Sequence, residues 1–347
     1  MTPIERITVL GDGQMGLVCA ALLAEQPASA FPGDAGGTPT VTLWGHHARE
    51  VGSLARTRTS ARLSAFTLPE SVRVVPDDLE ALRNADLLIA AVPSQHARNV
   101  FRRLVDYIPG DAGVVSVAKG IEKDTLLRPS EVILDALENP DRPVAALSGP
   151  TIAAELSRCM PATMVAASEN ERFAETIQSA FTTRWMRVYT NTDLMGVELA
   201  GATKNVIAIA AGVLDGLQAG YNAKSALLAR GLAEIARLGA AMGAKPETFF
   251  GVAGVGDLAT TCFSPEGRNR SCGEALGRGE TLAAYLARTQ SVVEGVETTK
   301  GVVELAKRHG VDMPIARAVH AVLFEGLDPI NAIAGLMSRE PKAERVG

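Results

Sequence analysis

Residues 11–16 read Gly11-Asp12-Gly13-Gln14-Met15-Gly16. In this G-x-G-x-x-G spacing the first glycine permits a tight turn and the second lets backbone approach a pyrophosphate. The third lets a helix pack on the preceding strand, and the N-terminus of that helix then faces the anion. The turn follows an apolar run at residues 7–10 and leads into helix-like apolar spacing at 17–23, the order of strand, turn and helix that a dinucleotide needs. A plain glycine turn stays open, as does a fold that binds another adenosine cofactor such as S-adenosylmethionine. A site selective for NAD often carries an acid at the end of the second strand to hold the ribose hydroxyls. Here that end reads Trp44-Gly45-His46-His47, with Arg49 beyond. These groups suit a 2′-phosphate, so the cofactor expected is NADP or NAD, with NADPH slightly favoured; a solvated helix start explains the same residues. Lys119 follows an apolar run at 114–118, and ligands of open α/β sheets bind at the carboxyl ends of such strands. Arg268 and Arg270 form a local basic patch, enough to hold a phosphate.

The elements that must position these groups can be read from hydrophobic periodicity. After residues 7–10, strands are expected at 41–44, 72–75, 87–92, 114–118, 144–147 and 164–167. Continuous apolar runs alternating with helical segments imply parallel strands buried on both faces, a doubly wound, Rossmann-like α/β sheet. A Pro-, Gly- and Ala-rich stretch at 27–39 is expected to be a surface loop. Beyond about residue 191 the texture becomes helical, with helices expected at 193–214, 223–242 and 298–309 and with Asn191 or Thr192 as the N-cap of the first. The expected division is a dinucleotide-binding domain over 1–193 and an all-α substrate-binding and catalytic domain over 194–347.

At 347 residues the chain suits two domains. It carries 34 Lys and Arg against 39 Asp and Glu, a mildly acidic balance that argues against a nucleic-acid partner. Cys19, Cys159, Cys262 and Cys272 lie far apart with no Cys-x-x-Cys pair. Neither a disulfide framework nor a metal site is expected, and a reducing, cytoplasmic compartment is the simplest reading. The N-terminus runs almost directly into a strand, so no signal peptide is expected. Apolar stretches reach about ten residues, short of the roughly 20 that span a bilayer.

Seven further segments occur in order from about residue 5 to about residue 325. They are Leu43-Trp44-Gly45-His46, Val117-Ala118-Lys119-Gly120, Ser148-Gly149-Pro150-Thr151, Gly201-Ala202-Thr203-Lys204-Asn205-Val206, Gly256-Asp257-Leu258, Gly267-Arg268-Asn269-Arg270 and Val292-Val293-Glu294-Gly295. Together they resemble the NAD(P)-dependent glycerol-3-phosphate dehydrogenase family. The resemblance implies interconversion of dihydroxyacetone phosphate and sn-glycerol 3-phosphate, in the reducing direction for glycerophospholipid synthesis. Lys204 matches the family's catalytic lysine, a proton donor to the alkoxide that forms when hydride reaches the ketone. Its small or apolar helix neighbours Val197, Ala200, Gly201, Ala208 and Ala211 imply burial, which lowers a lysine's pKa. By the same resemblance Lys119 and Asp257 join the catalytic set, with Asp257 bonding the substrate hydroxyl from a loop over 254–256. Gly149, Thr151, Asn205, Thr261, Gly267, Arg268 and Asn269 line the substrate, with Arg268 and Asn269 on its phosphate. Gly11, Gly13, Gln14, Met15, Gly16, His46, Lys119, Ala153, Arg268, Val292 and Glu294 are the implied cofactor contacts.

The chain departs from the family at Asp12, where alanine or serine is usual, and at Met15, where an aromatic residue is usual. Gly267 stands where bacterial members carry serine, and the 27–39 loop is longer than the family's. A carboxylate at Asp12 would repel a pyrophosphate unless it points away. Two other readings remain open at this point: a two-domain reductase of another small hydroxy acid, and a dinucleotide-binding sensor without turnover. Ala- and Gly-rich faces in the second half are compatible with a homodimer.

Overall fold

The computed structural model describes residues 4–31, 38–289, 292–341 and 343. The chain divides into two compact units, one of residues 1–118 and 129–194, the other of residues 119–128 and 195–347. The segment 119–128, which begins with Lys119, therefore goes with the second unit, an excursion that a single boundary at 193/194 does not include.

The first unit is built on one eight-stranded sheet, β1 (Arg6–Leu10), β2 (Thr40–Trp44), β3 (Arg73–Val75), β4 (Leu87–Ala90), β5 (Gly113–Ser116), β6 (Val144–Ser148), β7 (Ala162–Ala167) and β8 (Met186–Asn191). The strand order is β3-β2-β1-β4-β5-β6-β7-β8. Seven of these strands lie where the apolar runs place them. β8 goes unrecognised because Met186-Arg187-Val188-Tyr189-Thr190-Asn191 buries only Met186 and Val188, too few apolar positions to stand out. One pairing differs from the parallel expectation: β6 and β7 are antiparallel. Helices α1 (Gln14–Ala24), α2 (Ala48–Thr57), α3 (Asp78–Leu82), α4 (Ser94–Leu104), α5 (Pro129–Ala136), α6 (Ala153–Leu156) and α7 (Glu171–Phe181) complete this unit. Alternate residues feed separate cores: Ile7, Val9, Ile89 and Val115 enter one, while Leu10, Leu88, Ala90 and Val114 enter another. Both faces of the sheet are thus dry, as a doubly wound sheet requires. Of the 27–39 loop, residues 32–37 lie outside the described residues; the part before them includes a single helical turn, Ala28–Ala30.

The second unit is helical: α8 (Leu194–Gly216), α9 (Gly220–Met242), α10 (Pro246–Phe250), α11 (Asp257–Phe263), α12 (Arg268–Gly277), α13 (Leu282–Arg288), α14 (Glu294–Arg308), α15 (Pro314–Phe324) and α16 (Pro329–Met337). Periodicity finds the long α8, α9 and α14 and passes over the short ones. The side chain expected to cap α8 turns the chain just before it instead: Asn191 ends β8 and its Oδ1 accepts from the Asp193 N–H at 2.8 Å, ahead of the first helical residue, Leu194. Contrary to the reading of the apolar stretches, α8 is long and apolar enough to cross a membrane, but 94% of its apolar window is buried inside the protein. It is the central core helix of this unit, where Ile121 and Leu126 of the 119–128 segment join Leu199, Val206 and Ile209.

Candidate active site

In the first unit the glycine turn has the three properties its spacing demands. Gly11 has φ +117°, and a Cβ there would lie 2.6 Å from the Ala91 carbonyl oxygen. A Cβ on Gly16 would lie 1.8 Å from the Gly11 oxygen, so α1 can sit this close to the turn only without a side chain. Around Gly13 there is nothing within 4 Å of a Cβ position, leaving open space at the N-terminus of α1. A bare backbone facing open space at a helix N-terminus fits a pyrophosphate. Gln14 Nε2 donates to the Arg62 carbonyl at 2.6 Å, and Met15 packs against the core of this unit.

Asp12 does not face that open space as a free charge. Its Oδ2 pairs with Arg62 Nη1 at 2.8 Å, and Arg62 Nη2 pairs with Glu50 Oε2 at 2.6 Å. Arg62 was not among the residues singled out from sequence; no motif marks it, because its role depends on a turn 50 residues earlier in the chain. At the end of β2, His46 Nδ1 lies 2.9 Å from Arg103 Nη1, and Arg103 is itself paired with Asp78 through Nε at 2.7 Å. The cation beside His46 is therefore Arg103, whose partner carboxylate already answers much of its charge, while Arg49 is exposed on α2. After β6, Gly149 has φ +136° and accepts a hydrogen bond from Thr151 Oγ1 at 3.1 Å. Ala153, buried, opens α6.

The second unit gathers the titratable groups. Lys204 lies mid-helix on α8 between Val197, Ala200, Ala208 and Ala211, each at most 1% exposed. Its Nζ donates to Asp257 Oδ1 at 2.6 Å and to Thr261 Oγ1 at 2.5 Å. The other carboxylate oxygen of Asp257 takes Lys119 Nζ at 2.8 Å. One nearly fully buried carboxylate thus bridges two ammonium groups. Burial, reinforced by the charge of Lys119, lowers the Lys204 pKa to about 8, while Asp257 holds it up. The ammonium and the free amine are then both accessible near neutral pH.

Local structure explains the arrangement. The expected loop before Asp257 is instead a π-helical turn, Val252–Gly256, that runs straight into α11. Gly254 is needed there because a Cβ would lie 2.0 Å from the Phe249 carbonyl oxygen. Such wide turns recur at functional sites, where they re-aim the residues that follow. Asp257 and Thr261 sit one turn apart on α11, so both reach the same ammonium. Two interactions fix Lys119 over α8. Asn205 Nδ2 donates to the Lys119 carbonyl at 2.8 Å, and Arg128 Nη1 pairs with Glu198 Oε2 at 2.6 Å, both side chains buried. Removing one partner of such a pair leaves an uncompensated buried charge, at a cost of about 3–5 kcal/mol.

Gly267, Arg268 and Asn269 lie at the start of α12. Arg268 is exposed, and no ion pair within the chain engages it among the described residues. Asn269 is buried, and its Oδ1 accepts from the Gly295 N–H at 2.9 Å, which leaves the amide nitrogen as its donor end. A Cβ on Gly295 would come within 2.6 Å of that Oδ1, so the start of α14 can approach only as glycine. Glu294 opens α14 and Val292, exposed, precedes it. The α8–α12 contact is backbone on backbone: a Cβ on Gly212 would lie 1.9 Å from the Arg270 oxygen, and one on Gly273 would lie 1.9 Å from the Ile209 oxygen. The second unit therefore brings together Lys119, Lys204, Asn205, Asp257 and Thr261, with Arg268 and Asn269 on the adjoining helix. A buried lysine poised near pH 8 can donate or accept a proton. An exposed guanidinium with an oriented amide can hold an anion.

Comparison with known proteins agrees with this chemistry. Sequence profiles of the NAD-dependent glycerol-3-phosphate dehydrogenase N-terminus and C-terminus match residues 6–174 and 193–334. A glycerol-3-phosphate dehydrogenase [NAD(P)+] of Prosthecochloris aestuarii is 46% identical over 340 residues, covering 97% of this chain and 99% of its own. The enzyme of that name from Streptomyces griseus subsp. griseus is 44% identical over 346 residues, 99% of this chain and 100% of its own. The crystal structure of glycerol-3-phosphate dehydrogenase from Coxiella burnetii superposes with a TM-score of 0.89 at 34% identity, covering 96% of this chain and 99% of that one.

Proposed function

The chain belongs to the NAD-dependent glycerol-3-phosphate dehydrogenase family, and from that premise we propose how its residues interconvert dihydroxyacetone phosphate and sn-glycerol 3-phosphate. The observation that carries the assignment of roles is the buried Lys204–Asp257–Lys119 bridge, with an anion-holding pair one helix away. The first unit is the dinucleotide-binding part and the second the substrate-binding and catalytic part. Gly11, Gly13, Gln14, Met15 and Gly16 hold the pyrophosphate end of NAD or NADP, with His46, Lys119, Ala153, Arg268, Val292 and Glu294 completing the cofactor contacts. When bound, the reduced nicotinamide supplies the hydride for the ketone carbon.

Lys204, hydrogen-bonded to Asp257 and Thr261, donates a proton to the oxygen that becomes the secondary hydroxyl. In the oxidising direction the same amine accepts it. Lys119 places a second positive charge near the developing oxyanion, a preorganised stabilisation worth most in a dry site. Asp257 orients both lysines through its two carboxylate oxygens, partly offsets the effect of burial on Lys204, and accepts from a substrate hydroxyl. Arg268 and the Asn269 amide hold the phosphate, with Gly267, Asn205, Gly149 and Thr151 lining the triose. Reduction supplies the glycerol phosphate from which glycerophospholipids are made, in the cytoplasm and as a homodimer.

Substrate class is tested by comparing dihydroxyacetone phosphate with unphosphorylated dihydroxyacetone in the wild type and in Arg268→Gln. The expected result is a strong preference for the phosphorylated triose that falls roughly 100-fold in the variant, the scale of a lost charge-assisted bond. Equal use of both substrates, or of an unphosphorylated keto acid, by the wild type would overturn the assignment.

A further inference from the structure

Asp12 puts a carboxylate between the two glycines that should cradle a dianionic pyrophosphate, and the structure shows what becomes of it. Its side chain lies against Gly45 just past β2, where a Cβ would stand 3.0 Å from Asp12 Cγ. It is only 15% exposed, and its Oδ2 is held by Arg62 Nη1 at 2.8 Å. Arg62 is anchored twice more. Its main-chain oxygen accepts from Gln14 of the same glycine turn, and its Nη2 pairs with Glu50 in the first turn of α2. The single turn that carries it, Ala61–Leu63, is fixed by Leu63 in the core. Arg103, the arginine beside His46, is committed to Asp78, and Arg62 is the cation paired with Asp12.

We propose that Arg62 is a positioning residue for the dinucleotide: it holds the Asp12 carboxylate on Gly45, away from the open face of Gly13, and cancels its charge beside the pyrophosphate. The inference rests on the cofactor reading of the glycine turn. Without Arg62 the carboxylate is unpaired one residue from the anion, and like charges at that range repel measurably. Glu50 shares and orients the same guanidinium; its charge remains in both Arg62→Gln and Asp12→Asn/Arg62→Gln, so the comparison between them isolates Asp12. Asp12 is tolerated in this chain because residue 62 is arginine.

The test is direct binding, read by fluorescence titration of NADH and of NADPH without substrate, on wild type, Arg62→Gln and Asp12→Asn/Arg62→Gln. Thermal melting without ligand checks that each variant is folded, and the Gln14 bond survives substitution because it uses the main chain of residue 62. Arg62→Gln is expected to weaken both dinucleotides roughly tenfold at low salt, the scale of one unscreened charge pair. The deficit should shrink towards 1 M salt, where the screening length is about 3 Å. The double variant should return to within about twofold of wild type, since the two sites are coupled rather than additive. Unchanged affinity in Arg62→Gln, or a double variant as weak as the single one, overturns the proposal while leaving the cofactor site intact. Failure of the folded wild type to bind either dinucleotide overturns the cofactor reading and this inference with it.

Discussion

In the proposed mechanism Lys204 gives up a proton in one direction of the reaction and takes one in the other, so its surroundings would set the working pH. With its pKa lowered to about 8 by burial, reduction needs the ammonium and should lose kcat/KM as pH rises through about 8, while oxidation should gain over the same range. The bridge makes the limb movable. Asp257 raises this pKa and Lys119 lowers it. Asp257→Asn should therefore shift the alkaline limb of the reduction profile to lower pH, and Lys119→Met should shift it higher. Profiles whose limbs stay in place in both variants would separate Lys204 from the titration. The burial of Lys204 was legible in its small helix neighbours, while its proposed role rests on the family resemblance. That one carboxylate serves both lysines was not legible, because Asp257 stands 53 residues from Lys204 and 138 from Lys119. Arg62 was invisible for the same reason, since nothing local distinguishes a turn arginine that pairs with a distant carboxylate.

Elements in the second unit are held by polar groups at their ends as much as by their apolar faces. Glu234 on α9 is buried and accepts the Ile315 and Ala316 N–H groups at 2.8 and 3.2 Å, capping α15 from another helix in the way an N-cap side chain normally does from within. Burial pushes its carboxyl up to about 7, against the pull of those two N–H groups. A folded pKa above the usual carboxylate value means the native state binds the extra proton. The stability it confers is complete below the ordinary value of 4.5 and is lost as pH rises through about 7. Denaturant unfolding of wild type and Glu234→Gln across pH 4–8 should show the wild type losing ground to the variant over that window; a constant difference would contradict the assignment. The sequence disclosed the long helices and most strands through periodicity. β8 and the short helices escaped because they bury too few residues to show a period, and the antiparallel β6–β7 pair because a continuous apolar run carries no mark of strand direction.

For the molecule as a whole, the two texture halves of the sequence correspond to a sheet unit and a helical unit, each with its own core. The excursion of residues 119–128 into the helical unit could not be read locally, because it is fixed by Asn205, by the buried Arg128–Glu198 pair and by Ile121 in a distant core. That excursion puts Lys119, which follows a strand of the first unit, beside Lys204 and Asp257 of the second. In the proposed function a mildly acidic chain meets a small phosphorylated substrate with a few cations, Lys119, Lys204 and Arg268. The most direct test is the oxidation of NADPH and NADH by dihydroxyacetone phosphate, with wild type and Lys204→Ala compared at equal folded concentration. The account predicts turnover in the wild type and a fall of roughly 100-fold or more in the variant, the usual scale for removing a general acid, with dinucleotide binding retained. A folded variant that keeps wild-type turnover, or a wild type that binds dinucleotide and does not reduce this substrate, would contradict it.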